Sequence, residues 1–366
     1  MRINSVALEN FRNLKDVKAE FSPGVNVICG ENAQGKTNLL EGVYFLSSGR
    51  SWRTRFDRDL INFGSDFAYI NGDVSSRGRE NKIDVRMGRG MKKKVLINGV
   101  NSKVSEMSGF LKTVIFSPDD LYLLREGAGG RRRFMDNAIC QLRPKYDEYL
   151  TEYEKLLDHK TRILKDWEEK PDLLKVLPDF EYRMCQTGAY VIRYRAYFCE
   201  RLRSMAESVH SDLTGGAEKI ELEYKTVSTV RDPLGSAKDI CSDLTEHLER
   251  HREAEKAART CLSGPHKDDI EVRINSRSVR SFGSQGQVRT AALSLKMAEL
   301  NLFTEDTGDA PVLLLDDVLS ELDSKRSGYV VDRIKTGQVI ITCCNDTLPG
   351  APGKVMRMAD GILTEE

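Results

Sequence analysis

Gly30, Gly35, Lys36 and Thr37 stand at the spacing G-x-x-x-x-G-K-[ST], the pattern of a loop that cradles phosphate groups. The two glycines let the backbone turn tightly, so that N–H groups around Glu31, Asn32, Ala33 and Gln34 can approach phosphate oxygens. Lys36 would set an ammonium near the β- and γ-phosphates, and Thr37 would offer a hydroxyl to Mg²⁺. The flanks fit: Val25-Asn26-Val27-Ile28-Cys29 reads as a short buried strand, and apolar residues recur at helical spacing from Asn38 to Leu46. A helix N-terminus would add positive potential where the phosphates sit.

Far downstream, Val312-Leu313-Leu314-Leu315 runs into Asp316-Asp317. A central parallel strand of this kind delivers carboxylates at its C-terminal end, where ligands and metal collect. Asp316 would then hold Mg²⁺ through water, and Asp317 would orient or deprotonate the attacking water. A strand followed by a solvated turn explains the same residues. The phosphate loop tips the choice towards catalysis. Between the two motifs lies Ser284-Gln285-Gly286-Gln287, an element that separates one class of P-loop ATPase from the rest and suggests sites completed by a second subunit. Asn81-Lys82-Ile83-Asp84 spells a guanine-reading motif, but no apolar strand presents it and no D-x-x-G precedes it. An exposed hairpin strand is the better reading.

These residues need elements to position them. Arg2 to Leu8 alternates like a strand, and Val95 to Val100 carries an Asn-Gly hairpin turn. From Arg131 to about Trp167 the pattern is helical and charged; Pro171 and Pro178 bracket a break, and a second helix covers about 179–213, ending at Gly215-Gly216. The two helices suit an antiparallel hairpin. Lys219 to Tyr224 is strand-like, 236–260 helical, Asp269 to Ile274 a strand, Ser278 to Phe282 a second strand, and Val339 to Thr342 the last apolar one. The expected architecture is one α/β ATPase core built from both chain ends, 1–125 and 261–366, with a mostly helical inserted domain over 126–260.

Among the 366 residues, Lys+Arg and Asp+Glu number 56 each, so the net charge is zero. Any nucleic-acid site must therefore be a local patch. No apolar run reaches the length of a membrane span, and the N-terminal residues predict no export signal. Eight scattered cysteines without C-x-x-C spacing suit a reducing cytoplasm. The five histidines have no zinc-ligand spacing. Candidate phosphate-backbone contacts are Arg50, Arg53, Arg55 and Arg58 after the first helix, Lys92, Lys93 and Lys94 in a hairpin, and Arg131, Arg132 and Arg133 at the start of the insertion. An ordinary solvated face is the competing reading of each cluster.

Taken in order, Phe11-Arg12-Asn13, the phosphate loop, Phe116-Ser117-Pro118-Asp119-Asp120-Leu121, Arg131 to Asp136, Gly264-Pro265-His266-Lys267-Asp268-Asp269, Ser284 to Arg289 and Leu315 to Asp323 resemble the bacterial RecF family over essentially the whole chain. The resemblance implies an ABC-type ATPase head related to SMC proteins, without their long coiled coil. It implies an ATP-dependent homodimer that binds DNA at single-strand/double-strand junctions, hydrolyses ATP slowly with DNA stimulation, and helps load RecA with RecO and RecR. It also implies association with the nucleoid. By matching motifs, Ser284, Gly286 and Gln287 would meet ATP bound on the partner subunit, Ser320 to Asp323 would form the D-loop, and Arg12 would lie near the nucleotide. Three features depart from the pattern. Asp317 stands where many ABC proteins have Glu, Thr342-Cys343-Cys344-Asn345 replaces the expected switch histidine, and no Q-loop glutamine stands out. The alternatives are an ABC transporter nucleotide-binding subunit, or an ATP-independent scaffold with a relic loop.

Overall fold

The computed structural model describes residues 1–333, 337–344 and 353–365. Its residues fall into two compact units. The first comprises Met1–Tyr122, Val209–Ala217 and Arg289–Glu366, and the second Leu123–Ser208 and Glu218–Val288.

The first unit opens with strands β1 (Arg2–Phe11), β2 (Leu14–Glu20) and β3 (Val25–Cys29), then helix α1 (Lys36–Ser48). Strands β4 (Phe67–Ser76), β5 (Arg79–Gly88), β6 (Lys94–Ile97), β7 (Val100–Ser102) and β8 (Thr113–Phe116) follow. The β6–β7 turn places Asn98 and Gly99 both at positive φ, the backbone that an Asn-Gly hairpin turn demands. Asn81 to Asp84 lie within β5, paired antiparallel to β4, where the Asp84 carboxylate accepts from the Tyr69 hydroxyl and the Asn71 amide. That side chain is spent inside the sheet.

The second unit is mostly helical. It holds α2 (Ala128–Leu142), α3 (Pro144–Asp166) and α4 (Leu177–Thr214), whose last turns, from Val209, belong to the first unit. Next come β9 (Ile220–Lys225), α5 (Ala237–Ala258), β10 (Asp269–Ile274), β11 (Arg277–Ser278) and α6 (Val279–Phe282). Three sequence expectations change here. The helix expected from Arg131 to Trp167 is two helices, because Pro144 cannot continue α2 and instead opens α3. The strand expected over Ser278–Phe282 stops at Ser278 and becomes a helical turn. The return crossing falls after Val288, not after residue 260: β10 pairs along its whole length with β9, which ties 269–288 to the insertion. The α3–α4 hairpin forms as expected: Tyr149 stacks on Tyr190, Tyr146 meets Tyr194 edge-on and His159 lies by Phe180, so the numbering runs in opposite directions.

The chain returns through α7 (Gln285–Thr307), then β12 (Val312–Asp316), α8 (Ser324–Arg333), β13 (Val339–Cys343), β14 (Lys354–Ala359) and β15 (Ile362–Glu365). Two six-stranded sheets result, ordered β2-β1-β4-β5-β6-β7 and β15-β14-β3-β13-β12-β8. The first is antiparallel; the second is parallel apart from β15. One apolar core joins side chains of both sheets and of α1, with Leu39, Leu40, Val43 and Phe45 fully buried. Burial of side chains that large stabilises by about 1.5–3 kcal/mol each, which fixes α1 as the element that carries the phosphate loop.

Candidate nucleotide site

In the parallel sheet, β13 lies between β3 and β12. The phosphate loop leaves β3 and Asp316-Asp317 end β12, so the C-terminal end of β13 must come out between them. This is the edge at which ligands bind in open α/β sheets.

Gly30 and Gly35 have φ of +154° and +112°, and a Cβ at Gly30 would lie 2.2 Å from the Met358 carbonyl oxygen. At Gly35 a Cβ would lie 2.6 Å from Leu14 Cδ2. Only glycine fits both places. Lys36 is buried and curls over the loop, its Nζ donating to the carbonyls of Gly30 (2.5 Å) and Glu31 (2.8 Å). The Asn13 amide donates to the Ala33 carbonyl, and the Gln34 side chain accepts from the Asp360 N–H. The loop is therefore braced on both flanks.

Thr37 Oγ1 donates to Asp316 Oδ1 at 2.8 Å, and Thr342 Oγ1 lies 2.8 Å from the same oxygen. Asp316 is buried, and burial pushes its carboxyl above the usual range while the two hydroxyls hold it down. Thr342 also accepts from the Asp317 N–H at 3.0 Å, so one threonine aligns both acids. Asp317 sits in the left-handed region at φ 51°, a conformation that Asp tolerates better than most residues. Its turn is closed by the Ser320 hydroxyl, which donates to the Asp317 carbonyl at 2.7 Å. Asp323 caps α8, accepting from the Arg326 N–H at 3.0 Å. Sequence reasoning met Thr342 only as one of the residues in place of the switch histidine and gave it no role. Its signal was a hydroxyl residue ending an otherwise aliphatic run.

Arg12 is committed elsewhere than to open solvent. Its guanidinium forms a two-pronged bond to Glu41, at 2.9 and 2.8 Å, and donates to the Asp59 carbonyl. Glu41 is fully buried and also accepts from Ser51 and Arg53. A lone carboxylate within the apolar run of α1 was the missed signal.

Ser284 and Gln287 belong to the second unit and form a reciprocal capping box on α7. Ser284 N–H donates to Gln287 Oε1 at 3.0 Å, and Gln287 N–H to Ser284 Oγ at 3.2 Å. Ser284 and Gly286 are exposed, as is Phe282 beside them.

One expected DNA contact is corrected, and three others have partners within the chain. Arg131 is buried, paired with Asp269 at 2.6 Å and donating to the carbonyls of Leu123 and Glu126. Lys93 donates to the Gly49 carbonyl and pairs with Asp57. Arg53 pairs with Glu41, and Arg132 donates to the Asp268 carbonyl. Only Arg131 is buried by its partners, whereas Arg53 keeps an exposed side chain. Arg50 is half-buried, whereas Arg55 and Lys92 are exposed.

A family model described as RecF/RecN/SMC N terminal domain matches residues 2–360. The DNA replication and repair protein RecF of Acetivibrio thermocellus is 40% identical over 350 residues, covering 95% of this chain and 94% of that protein. The protein of the same name from Clostridium kluyveri is 40% identical over 344 residues, covering 94% and 93%. A solved structure of the recombination mediator protein RecF-ATPrS in the RecFOR pathway superposes with a TM-score of 0.90 at 34% identity, covering 100% of this chain and 98% of that one. An Smc head domain from Pyrococcus furiosus, at 18% identity and a TM-score of 0.53 over 99% and 94% of the chains, shares the fold. Full-length likeness at this identity and an SMC-type head fold lead to one conclusion: the chain belongs to the RecF family.

Proposed function

We propose that this chain is an ATP-dependent DNA clamp of recombinational repair. It binds ATP through Gly30 to Thr37, dimerises on doing so, holds DNA at single-strand/double-strand junctions, and releases it on slow, DNA-stimulated hydrolysis. The observation that carries the reading is the 2.8 Å bond from Thr37 to Asp316. It sets a hydroxyl from the start of α1 beside a carboxylate from the end of β12, the oxygen donors that suit Mg²⁺ in a phosphate site. Bound there, Mg²⁺ would neutralise phosphate charge. Lys36 holds the phosphates, Asp317 orients and accepts a proton from water, and Asp316 stays aligned by Thr342. Asp317 is one methylene shorter than Glu, which fits slow turnover.

Ser284, Gly286 and Gln287 complete the partner's site in this reading, and the exposed Phe282 beside them supports a face that meets a second copy. Ser320 and Asp323 line the junction between the two sites, and Arg12, held by its two bonds to Glu41, lies near the nucleotide. DNA contacts fall to exposed cations such as Arg55 and Lys92. One similar protein is named as a recombination mediator in the RecFOR pathway, which supports work with RecO and RecR; help in loading RecA belongs to the proposal, and these names do not favour the transporter reading. No helix among the described residues is long and apolar enough to cross a membrane.

The test is nucleotide binding and turnover in Lys36→Ala and Asp317→Asn. Lys36→Ala should lose ATP binding. Asp317→Asn should keep it, lose turnover, and prolong the DNA-bound dimer. Undiminished DNA binding by a Lys36→Ala chain that holds no nucleotide would sink the reading and favour a scaffold.

A further inference from the structure

The end of β13 carries a group that no catalytic step above uses. Side chains alternate across a strand. Thr342 turns towards Asp316 and Asp317, Cys343 turns away, and Cys344 turns back. Cys343 Sγ lies 3.2 Å from Cys29 Sγ on β3, and burial with that neighbour pushes its thiol up to about 12. It is an inert packing thiol. Cys344 is different. Its Sγ lies 2.9 Å from Asn32 Oδ1 on the phosphate loop, 3.4 Å from Asp317 Oδ2 and 3.9 Å from Lys36 Nζ. It is also the exposed member of the chain's eight free cysteines.

A thiol has one proton to donate, and here two acceptors converge on it. One belongs to the loop that grips phosphate and the other to the proposed general base. We propose that Cys344 is a positioning residue for ATP hydrolysis, its single thiol proton shared between Asn32 Oδ1 of the phosphate loop and Asp317 Oδ2 and so holding the carboxylate relative to the γ-phosphate. The inference deepens the ATPase reading above and rests on it. Burial and Asp317 both raise the Cys344 thiol above its usual range, which keeps it protonated and able to donate. A displacement of about 1 Å at such a group costs up to about a hundredfold in rate, so a modest link can govern turnover without governing binding.

The experiment uses the full chain, with ATP binding and steady-state hydrolysis measured on the same preparations. In Cys344→Ala, kcat should fall on the order of tenfold with the KM for ATP within about twofold, the split expected when only transition-state alignment is lost. Cys344→Ser should recover most of that loss, because its hydroxyl restores the donor. Iodoacetamide on wild type should modify Cys344 first, read by peptide mass, and ATP–Mg²⁺ should slow that modification. A Cys344→Ala enzyme with wild-type kcat, or a Cys344→Ser enzyme as slow as the alanine variant, overturns the proposal while ATP binding persists. Absence of ATP binding in wild type overturns the ATPase reading and this inference together.

Discussion

At the scale of single residues, Thr342 is the side chain on which the acid pair depends. Its hydroxyl serves Asp316 and the Asp317 N–H at once. Thr342→Val keeps the shape and removes both bonds. Burial would then act on Asp316 with one hydroxyl fewer to oppose it, so the carboxyl should rise further. The acidic limb of the kcat profile should move to higher pH, with ATP binding retained; an unmoved limb would remove Thr342 from the account. A second pair concerns stability. Asp268 is fully buried and pushed up to about 6, and His266 is pushed down to about 4, both mainly by burial. The folded state holds the Asp268 proton where the unfolded chain has lost it, so that contribution is present below about pH 4 and lost as pH rises through 6. His266 acts oppositely: its contribution is present above about 6.5 and lost as pH falls through 4. Each is worth at most about 3 kcal/mol. The two should offset over pH 4–6. His266→Gln should expose the Asp268 trend, so that urea midpoints fall between pH 4.5 and 6 relative to wild type. Parallel profiles would contradict the assignment.

At the scale of elements, the helical unit turns on Lys160, which is fully buried on α3. Its Nζ lies 2.5 Å from Glu255 on α5 and 3.1 Å from Glu181 on α4. Removing one partner of a buried ion pair leaves charge uncompensated, at about 3–5 kcal/mol. Lys160→Met should lower the urea midpoint of the second unit accordingly; a change under about 1 kcal/mol would show that water reaches the two carboxylates. This triad was not legible in the sequence, because Lys160, Glu181 and Glu255 are far apart in an evenly charged pattern and nothing local marks them as buried. What was legible were segments whose local chemistry and tertiary role agree. Val25–Cys29 and Asp269–Ile274 form strands over the expected residues, since aliphatic runs and strict alternation leave few other options. Ser278–Phe282 misled because five residues are too few for alternation to separate a strand from a helical turn. Arg131 misled because a cluster of cations says nothing of the carboxylate that waits for one of them. Ser284 and Gln287 were expected as a signature facing a partner, and the capping box they form was not foreseen.

At the scale of the whole molecule, the observed cap at Ser284 and the partner contact proposed for it together shape the decisive test. Replacing the cap alone costs about 1 kcal/mol, so Ser284→Ala mixes stability with assembly. Ser284→Asn keeps a capping side chain and changes the exposed face, while Ser284→Arg blocks that face with bulk and charge. The chain has no net charge, so the proposed clamp would hold DNA by local cations gathered in a dimer, and its binding should weaken steeply with salt. The measurement that bears most directly on the clamp is the solution molecular mass of wild type, Ser284→Asn and Ser284→Arg, with and without ATP–Mg²⁺, followed by gapped DNA. The account predicts a wild-type dimer only with ATP, DNA bound by that dimer, and monomers from both variants despite normal ATP binding. A wild type that stays monomeric with ATP bound, or a Ser284→Arg chain that dimerises as readily, would contradict it.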